Sequence, residues 1–302
     1  MSEAKVALGR RLFFDKRLSI SGKYSCASCH DPARSYSDGR PVALGATGAP
    51  LPHSAMALIN VAYNVSFGWT KPELTSLEAQ MLEPLLNQHP VELGLAGREQ
   101  AVARTLAADP AYARSFAAVF QDGAPAVTLD HIVKAIAAFE RTLISGQSPF
   151  DRYVFNGEHH ALSPQAKAGM ALFFAPRAGC SACHSGFNFS GNWRDSEGAT
   201  GEASFANNGS SDQPMRVPTL RNIALTAPYM HDGRFATLEA VVDHYAQVAA
   251  QARSDPAGAG KVDVRLRTFD LTAAEQAELI AFLNSLIDPS FGKSDASVQP
   301  GR

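Results

Sequence analysis

The chain lacks most of the features that would send it to a membrane or a nucleic acid. No apolar run approaches the roughly 20 residues needed to span a bilayer. No basic run is present, and the net charge is only −2 over 302 residues, so no nucleic-acid partner is indicated. The opening residues, MSEAKVALGRR, lack the charged-then-apolar profile of an export signal and lead straight into an amphipathic segment. Tryptophan occurs twice, as Trp69 and Trp193. Cysteine is also scarce, and its placement is the most informative feature of the sequence. There are four cysteines, all spent in two strings, CASCH at 26–30 and CSACH at 180–184. With 45% hydrophobic and 19% charged residues, the chain has the means to bury two cores of ordinary size.

Two C-x-x-C-H strings read as two c-type haem attachment sites. Cys26 and Cys29, and likewise Cys180 and Cys183, are spaced to add to the two vinyl groups of one haem. The adjacent His30 and His184 each supply an axial imidazole. The competing reading is a C-x-x-C redox pair or half a zinc site. It has to account for two such strings that use every cysteine. Covalent haem attachment takes place outside the cytoplasm, so the expectation is a periplasmic, exported protein whose signal is absent from this numbering.

The halves repeat. GRRLFF (9–14) leads to the first haem string and GMALFF (169–174) to the second. This is the pattern of a duplicated single-haem unit, with a boundary in FDRYVFNGEHHALSP. Helices are predicted at 75–86, opened by a Thr75–Glu78 capping box, and at 109–120, with Asp109 as cap and Pro110 in the first turn. Others are predicted at 128–146, closing on Gly146, at 163–174, and at 272–286 with another capping box. The Gly-, Ser- and Asn-rich stretch 191–214 reads as a long loop. The tail after Pro289 is expected to be loosely ordered and free to fold back over the first half.

TLEAVVDHYAQ (237–247) is a further helix, with Thr237 as N-cap and Leu238, Val241, Val242, Tyr245 and Val248 on one stripe. A tyrosine on that stripe needs a partner for its hydroxyl. That partner is either a backbone carbonyl or a haem iron.

Taken together, LFFDKRLSISGKYSCASCH, SLEAQMLEPL followed by HPVELG, CSACH, VPTLRNIALTAPYMHDGRFATLEAVV and TAAEQAELIAFLNSL resemble the bacterial di-haem cytochrome c peroxidase and MauG superfamily over nearly the full length. The resemblance implies a mostly α fold of two cytochrome c-like haem domains related by duplication, with long loops. Residues 1–155 would hold the peroxidatic haem and 156–302 the electron-storing haem. It also implies that Tyr245 is the axial ligand of the second haem, where true peroxidases carry methionine. A hard phenolate favours ferric and higher oxidation states, whereas a thioether raises the potential. His244, the neighbouring candidate, points about 100° away around the helix.

By the same resemblance, Glu92 is the general acid–base for peroxide, Gln80 orients peroxide or water, and Trp69 lies between the haems as a relay. Arg221 pairs with a haem propionate or makes a structural salt bridge. A calcium ion between the domains would take oxygen ligands from Thr226, Pro228 and Ser54. Two residues more than is usual separate Pro84 from Glu92, and they place His89 near the distal pocket or in a loop. His53 falls several residues from the place of the histidine that blocks the first iron in resting peroxidases, so an open, five-coordinate first haem is expected. Trp193 receives no role.

Three functions follow. The first is a MauG-like enzyme that uses hydrogen peroxide to reach a two-electron-oxidised, bis-ferryl-type state. It then oxidises an aromatic residue on a partner protein by long-range electron transfer. The string MLEPLLNQHPVELGL resembles the methanobactin-associated MbnH subgroup, which implies a partner tryptophan converted to kynurenine or a related product, on a copper-binding protein. The second is a cytochrome c peroxidase fed by a small cytochrome or cupredoxin. The third is a non-catalytic electron carrier, which would leave Glu92 and Gln80 without a task.

Overall fold

The computed structural model describes residues 1–123, 126–191, 205–255, 262–266 and 269–292. Two helix pairs organise it. In the first half, α1 (Glu3–Phe13) lies on α5 (Leu129–Glu140), and in the second α7 (Pro164–Phe174) lies on α9 (Ala273–Asn284). Both pairs close on a glycine. A Cβ at Gly9 would stand 1.9 Å from the Ala135 carbonyl oxygen, and one at Gly169 would stand 1.9 Å from that of Glu278. Only glycine allows helix backbones to approach so closely. The expected duplication is therefore present in three dimensions.

The repeat extends into the cores. Phe13, Tyr36 and Phe139 meet edge-on in one half, and Phe173, Phe189 and Phe282 meet in the other. Asn60 and Asn222 both adopt left-handed backbone geometry, with φ of 56° each. Each donates its backbone N–H to a leucine carbonyl just beyond the long helix, Leu143 at 2.7 Å and Leu286 at 3.0 Å. The first core runs from Leu8 to Leu143 and the second from Phe150 to Leu286. The change of core thus falls between 143 and 150, a few residues before the expected boundary at 155, because α6 (Pro149–Phe155) packs Phe150 against Phe282.

Between these pairs lie α2 (Leu77–Leu86), α3 (Glu99–Ala107), α4 (Pro110–Val119) and α8 (Leu238–Ser254). Several expected caps are present: Asp109 on α4, Thr237 on α8, and the Thr272–Glu275 box on α9. Two boundaries differ. The N-cap of α2 is Ser76 rather than Thr75, and Glu78 is held instead by Arg141 through two bonds of 2.8 Å. Helix α5 ends at Glu140 rather than near 146, because Asn60 draws the backbone of Leu143 and Ser145 away from helical pairing. Within the expected loop 191–214, Phe205–Ala206 (β1) pairs antiparallel with Met215–Arg216 (β2). Trp193 lies outside the described residues. Phe291 reaches back to Tyr36, with ring centroids 6.5 Å apart, so the chain after Pro289 touches the first core. No helix among the described residues is long and apolar enough to cross a membrane.

Candidate functional site

The two C-x-x-C-H strings form the same local structure. Each opens a short 3-10 turn, Cys26–Ser28 and Cys180–Ala182, and the histidine follows on the same turn. The His30 Nδ1 lies 3.0 Å from the Tyr36 carbonyl oxygen, and the His184 Nδ1 lies 2.9 Å from that of Phe189. A carbonyl at Nδ1 fixes the tautomer and leaves Nε2 as the metal-binding nitrogen. Burial lowers the pKa of both imidazoles, which keeps them neutral as ligands must be.

The thiols do not favour the redox reading. All four cysteines are unpaired. Burial pushes every thiol up, Cys180 to about 12 and Cys29 to about 11, the latter with help from the charges of Asp38 and Glu92. A redox C-x-x-C needs the opposite shift. The described residues also contain no cluster of three or more His, Cys, Asp or Glu side chains able to hold a zinc ion. Two thiols one turn apart beside an oriented imidazole fit the thioether attachment of a haem.

In the second half these groups open onto a cavity of ≈ 170 Å³. Cys180, Cys183, His184 and Tyr245 share its wall with apolar side chains such as Val242, Phe269 and Leu279. The Tyr245 hydroxyl receives a 3.4 Å hydrogen bond from Asn208 Nδ2. Burial holds its pKa up at about 12, opposed by that bond and reinforced by the two thiols. His244 does not share the cavity. Its Nε2 lies 3.0 Å from the Asn208 carbonyl and its ring packs on Phe235.

In the first half Gln80 and Pro84 occupy one face of α2, a turn apart. The chain then doubles back, since Leu93 and Leu95 donate to the carbonyls of Pro84 and Leu85 at 2.8 Å each. A bridge between Gln88 and Val91 closes the two extra residues into a tight turn. His89 is exposed in that turn. Glu92 is thereby brought beside Cys29, and its carbonyl accepts from Ala46 N–H at 2.6 Å. Burial raises the Glu92 carboxyl pKa, Glu83 adds to the rise, and Lys71, itself paired with Glu83, opposes it.

Trp69 joins the halves. Its Nε1 donates to the Ser54 carbonyl at 2.9 Å, and its ring faces His53 and His231 at 6.5 and 6.4 Å. It lines the second half's cavity and also a smaller one of ≈ 70 Å³ between the halves. His53 therefore belongs to the junction, 5.6 Å from the ring of His231. Ser54, Thr226 and Pro228 meet in the wall of the smaller cavity. That wall contains no carboxylate and one guanidinium, Arg216. Arg221 is committed elsewhere. It is fully buried and holds Asp151 through bonds of 2.8 and 2.9 Å, so its charge is already met.

Asn208, Arg216 and His231 are pocket residues that the sequence reading did not single out. Asn208 lies in a polar loop with no motif. His231 sits within a string whose other members drew the attention, and Arg216 immediately precedes that string.

The sequence profile of the family described as di-haem cytochrome c peroxidase matches residues 3–160. The methylamine utilization protein MauG of Methylorubrum extorquens is 36% identical over 293 residues, covering 95% of this chain and 79% of that protein. The cytochrome c551 peroxidase of Pseudomonas aeruginosa is 33% identical over 255 residues, covering 80% and 71%. Among solved structures, a MauG-like protein associated with microbial copper homeostasis superposes with a TM-score of 0.88 at 34% identity, covering 98% of this chain and 92% of that one. The di-haem peroxidase BthA of Burkholderia thailandensis shares the fold, with a TM-score of 0.73 at 22% identity over 96% and 87% of the two chains.

Proposed function

The chain belongs to the di-haem cytochrome c peroxidase and MauG family, and within it we propose a MauG-type enzyme. It would use hydrogen peroxide to oxidise an aromatic residue on a partner protein. Such a protein is an oxidoreductase carrying two haem c groups, held here by Cys26, Cys29 and His30 and by Cys180, Cys183 and His184. The observation that carries the reading is Tyr245, which lines the same cavity as His184. When bound, the haems supply the oxidising equivalents drawn from peroxide.

The chain's own residues do the rest. Glu92 takes the proton of the inner peroxide oxygen and returns it to the outer oxygen, which leaves as water. A carboxyl with a raised pKa is suited to both transfers. Gln80 orients the peroxide. Tyr245 offers a hard oxygen ligand, which suits an oxidised second site better than a methionine thioether would. Trp69 lies between the halves and relays the electron. The target is a residue of the partner, so no deep substrate pocket is required.

The finer reading is a tryptophan converted to kynurenine on a copper-binding partner, in the periplasm. It draws support from the likeness to the copper-homeostasis structure. Calcium on Ser54, Thr226 and Pro228 is part of the same reading. Uncharged donors make a weak site, so EDTA should strip the ion without releasing either haem, as elemental analysis would record. A peroxidase fed by a small cytochrome is the second reading, favoured by the 33% identity to a cytochrome c551 peroxidase.

Electron paramagnetic resonance of the ferric protein separates the two. The proposal expects one high-spin and one low-spin signal, both lost together on adding stoichiometric peroxide without a donor. Two low-spin signals that respond to peroxide only after prior reduction would select the peroxidase.

A further inference from the structure

Two arginines lie in the interior near the second cavity, and they differ in one respect. Arg221 is neutralised by Asp151. Arg216, only 6% exposed, has no such partner. Its Nε donates to the Gly68 carbonyl at 3.2 Å and its Nη2 to the Met56 sulfur at 3.0 Å. Both acceptors are uncharged. No carboxylate among the described residues reaches it, and burial alone pulls its pKa down to about 10. A buried cation is stable only when a counter-charge accompanies it.

The surroundings indicate which anion is missing. Arg216 lines both the second half's cavity and the small cavity between the halves. A haem carries its two vinyl groups at one edge and its two propionate carboxylates at another. Cys180 and Cys183 fix the vinyl edge. Arg265 lies at that edge, its Nη1 donating to the Ala182 carbonyl at 3.3 Å, whereas the Arg216 guanidinium reaches away to Gly68 and Met56 of the other half.

We infer that Arg216 anchors a propionate carboxylate of the second haem and ties it to the Trp69 segment of the other half. The tie is direct, because the Arg216 backbone N–H donates to the Trp69 carbonyl at 2.8 Å while its Nε holds Gly68. Arg216 is thus a positioning residue, and the inference rests on the second cavity holding a haem c.

The test uses the holoprotein and the variants Arg216→Met and Arg216→Lys. Mass spectrometry first counts attached haems. Absence of haem from Cys180 and Cys183 in the wild type would overturn the haem reading and this inference with it. With two haems attached, Arg216→Met should shift the propionate-bending resonance Raman band of the second haem. It should also lower that haem's reduction potential, because an uncompensated carboxylate favours ferric iron, and leave the first haem unchanged. Arg216→Lys should restore part of both shifts. An unchanged band and potential in Arg216→Met would overturn the inference alone. Should Arg216→Met fail to fold, the wild type still decides. Its propionate band should shift in D₂O through the exchangeable guanidinium protons, and a band indifferent to D₂O would overturn the assignment.

Discussion

The two halves of the molecule are alike where the haem attaches and unlike where the chemistry is expected. The attachment side is duplicated down to single contacts, from Gly9 and Gly169 to the carbonyls that orient His30 and His184. The facing side has diverged. The first half presents Gln80 and Glu92 from α2 and the loop that follows it, and the second presents Tyr245 from α8. Attachment geometry is therefore a common requirement, and the division of labour is written on the other face. One core position also departs from the repeat. After the matching Phe139 and Phe282 come Glu140 and Leu283, both buried. A carboxyl stands where the duplicate has an apolar side chain.

Four experiments would break or sharpen this comparison. The largest effect is expected for Glu92→Gln. The peroxide reaction should slow by roughly 10²- to 10⁴-fold in stopped-flow traces, while the optical spectrum of the second haem stays unchanged. An equal change in both haems would show that the halves are not chemically distinct. Next, Tyr245→Phe should abolish the low-spin signal of the second haem and leave the first untouched. A retained signal would assign the ligand elsewhere.

Third, Gly9→Ala and Gly169→Ala should destabilise their halves to a similar degree, by roughly 1–3 kcal/mol or more each, read as lowered thermal midpoints. A large difference between them would mean that the duplicated packing carries unequal weight. The fourth experiment concerns Glu140. Burial, reinforced by Glu78 and opposed by Arg141, raises its pKa from 4.5 to about 8, and its Oε2 has no hydrogen-bond partner. The folded state therefore keeps a proton that the unfolded chain releases. The stability this brings is complete below about pH 4.5 and is lost as the pH rises to about 8, with a slope of up to ~1.4 kcal/mol per pH unit. Glu140→Leu, which copies Leu283, should flatten that slope in denaturant titrations between pH 5 and 8.

Much of this was legible in the sequence because it is local. C-x-x-C-H spacing, Ser and Thr caps, Pro in first turns and the repeated Leu-Phe-Phe act over a few residues. What was not legible depends on partners far along the chain. Helix α5 stops early because Asn60 claims the backbone beyond it. Glu78 abandons the capping box for Arg141. Arg221 and Arg216 share one stretch of sequence, yet Asp151 neutralises the first and no carboxylate among the described residues neutralises the second. His53 meets His231 only because the halves pack together.

The junction between those halves has a consequence for its response to salt. Asn222 binds Ser35 and Ser145 of the first half, and Asp288 accepts the backbone N–H groups of Gly146 and Gln147 at 2.9 Å each. These hydrogen bonds run from 2.9 to 3.3 Å and none of them is an ion pair. Added salt has no ion pair to screen among them. The hydrogen bonds that hold the halves together at this point are therefore expected to be indifferent to ionic strength.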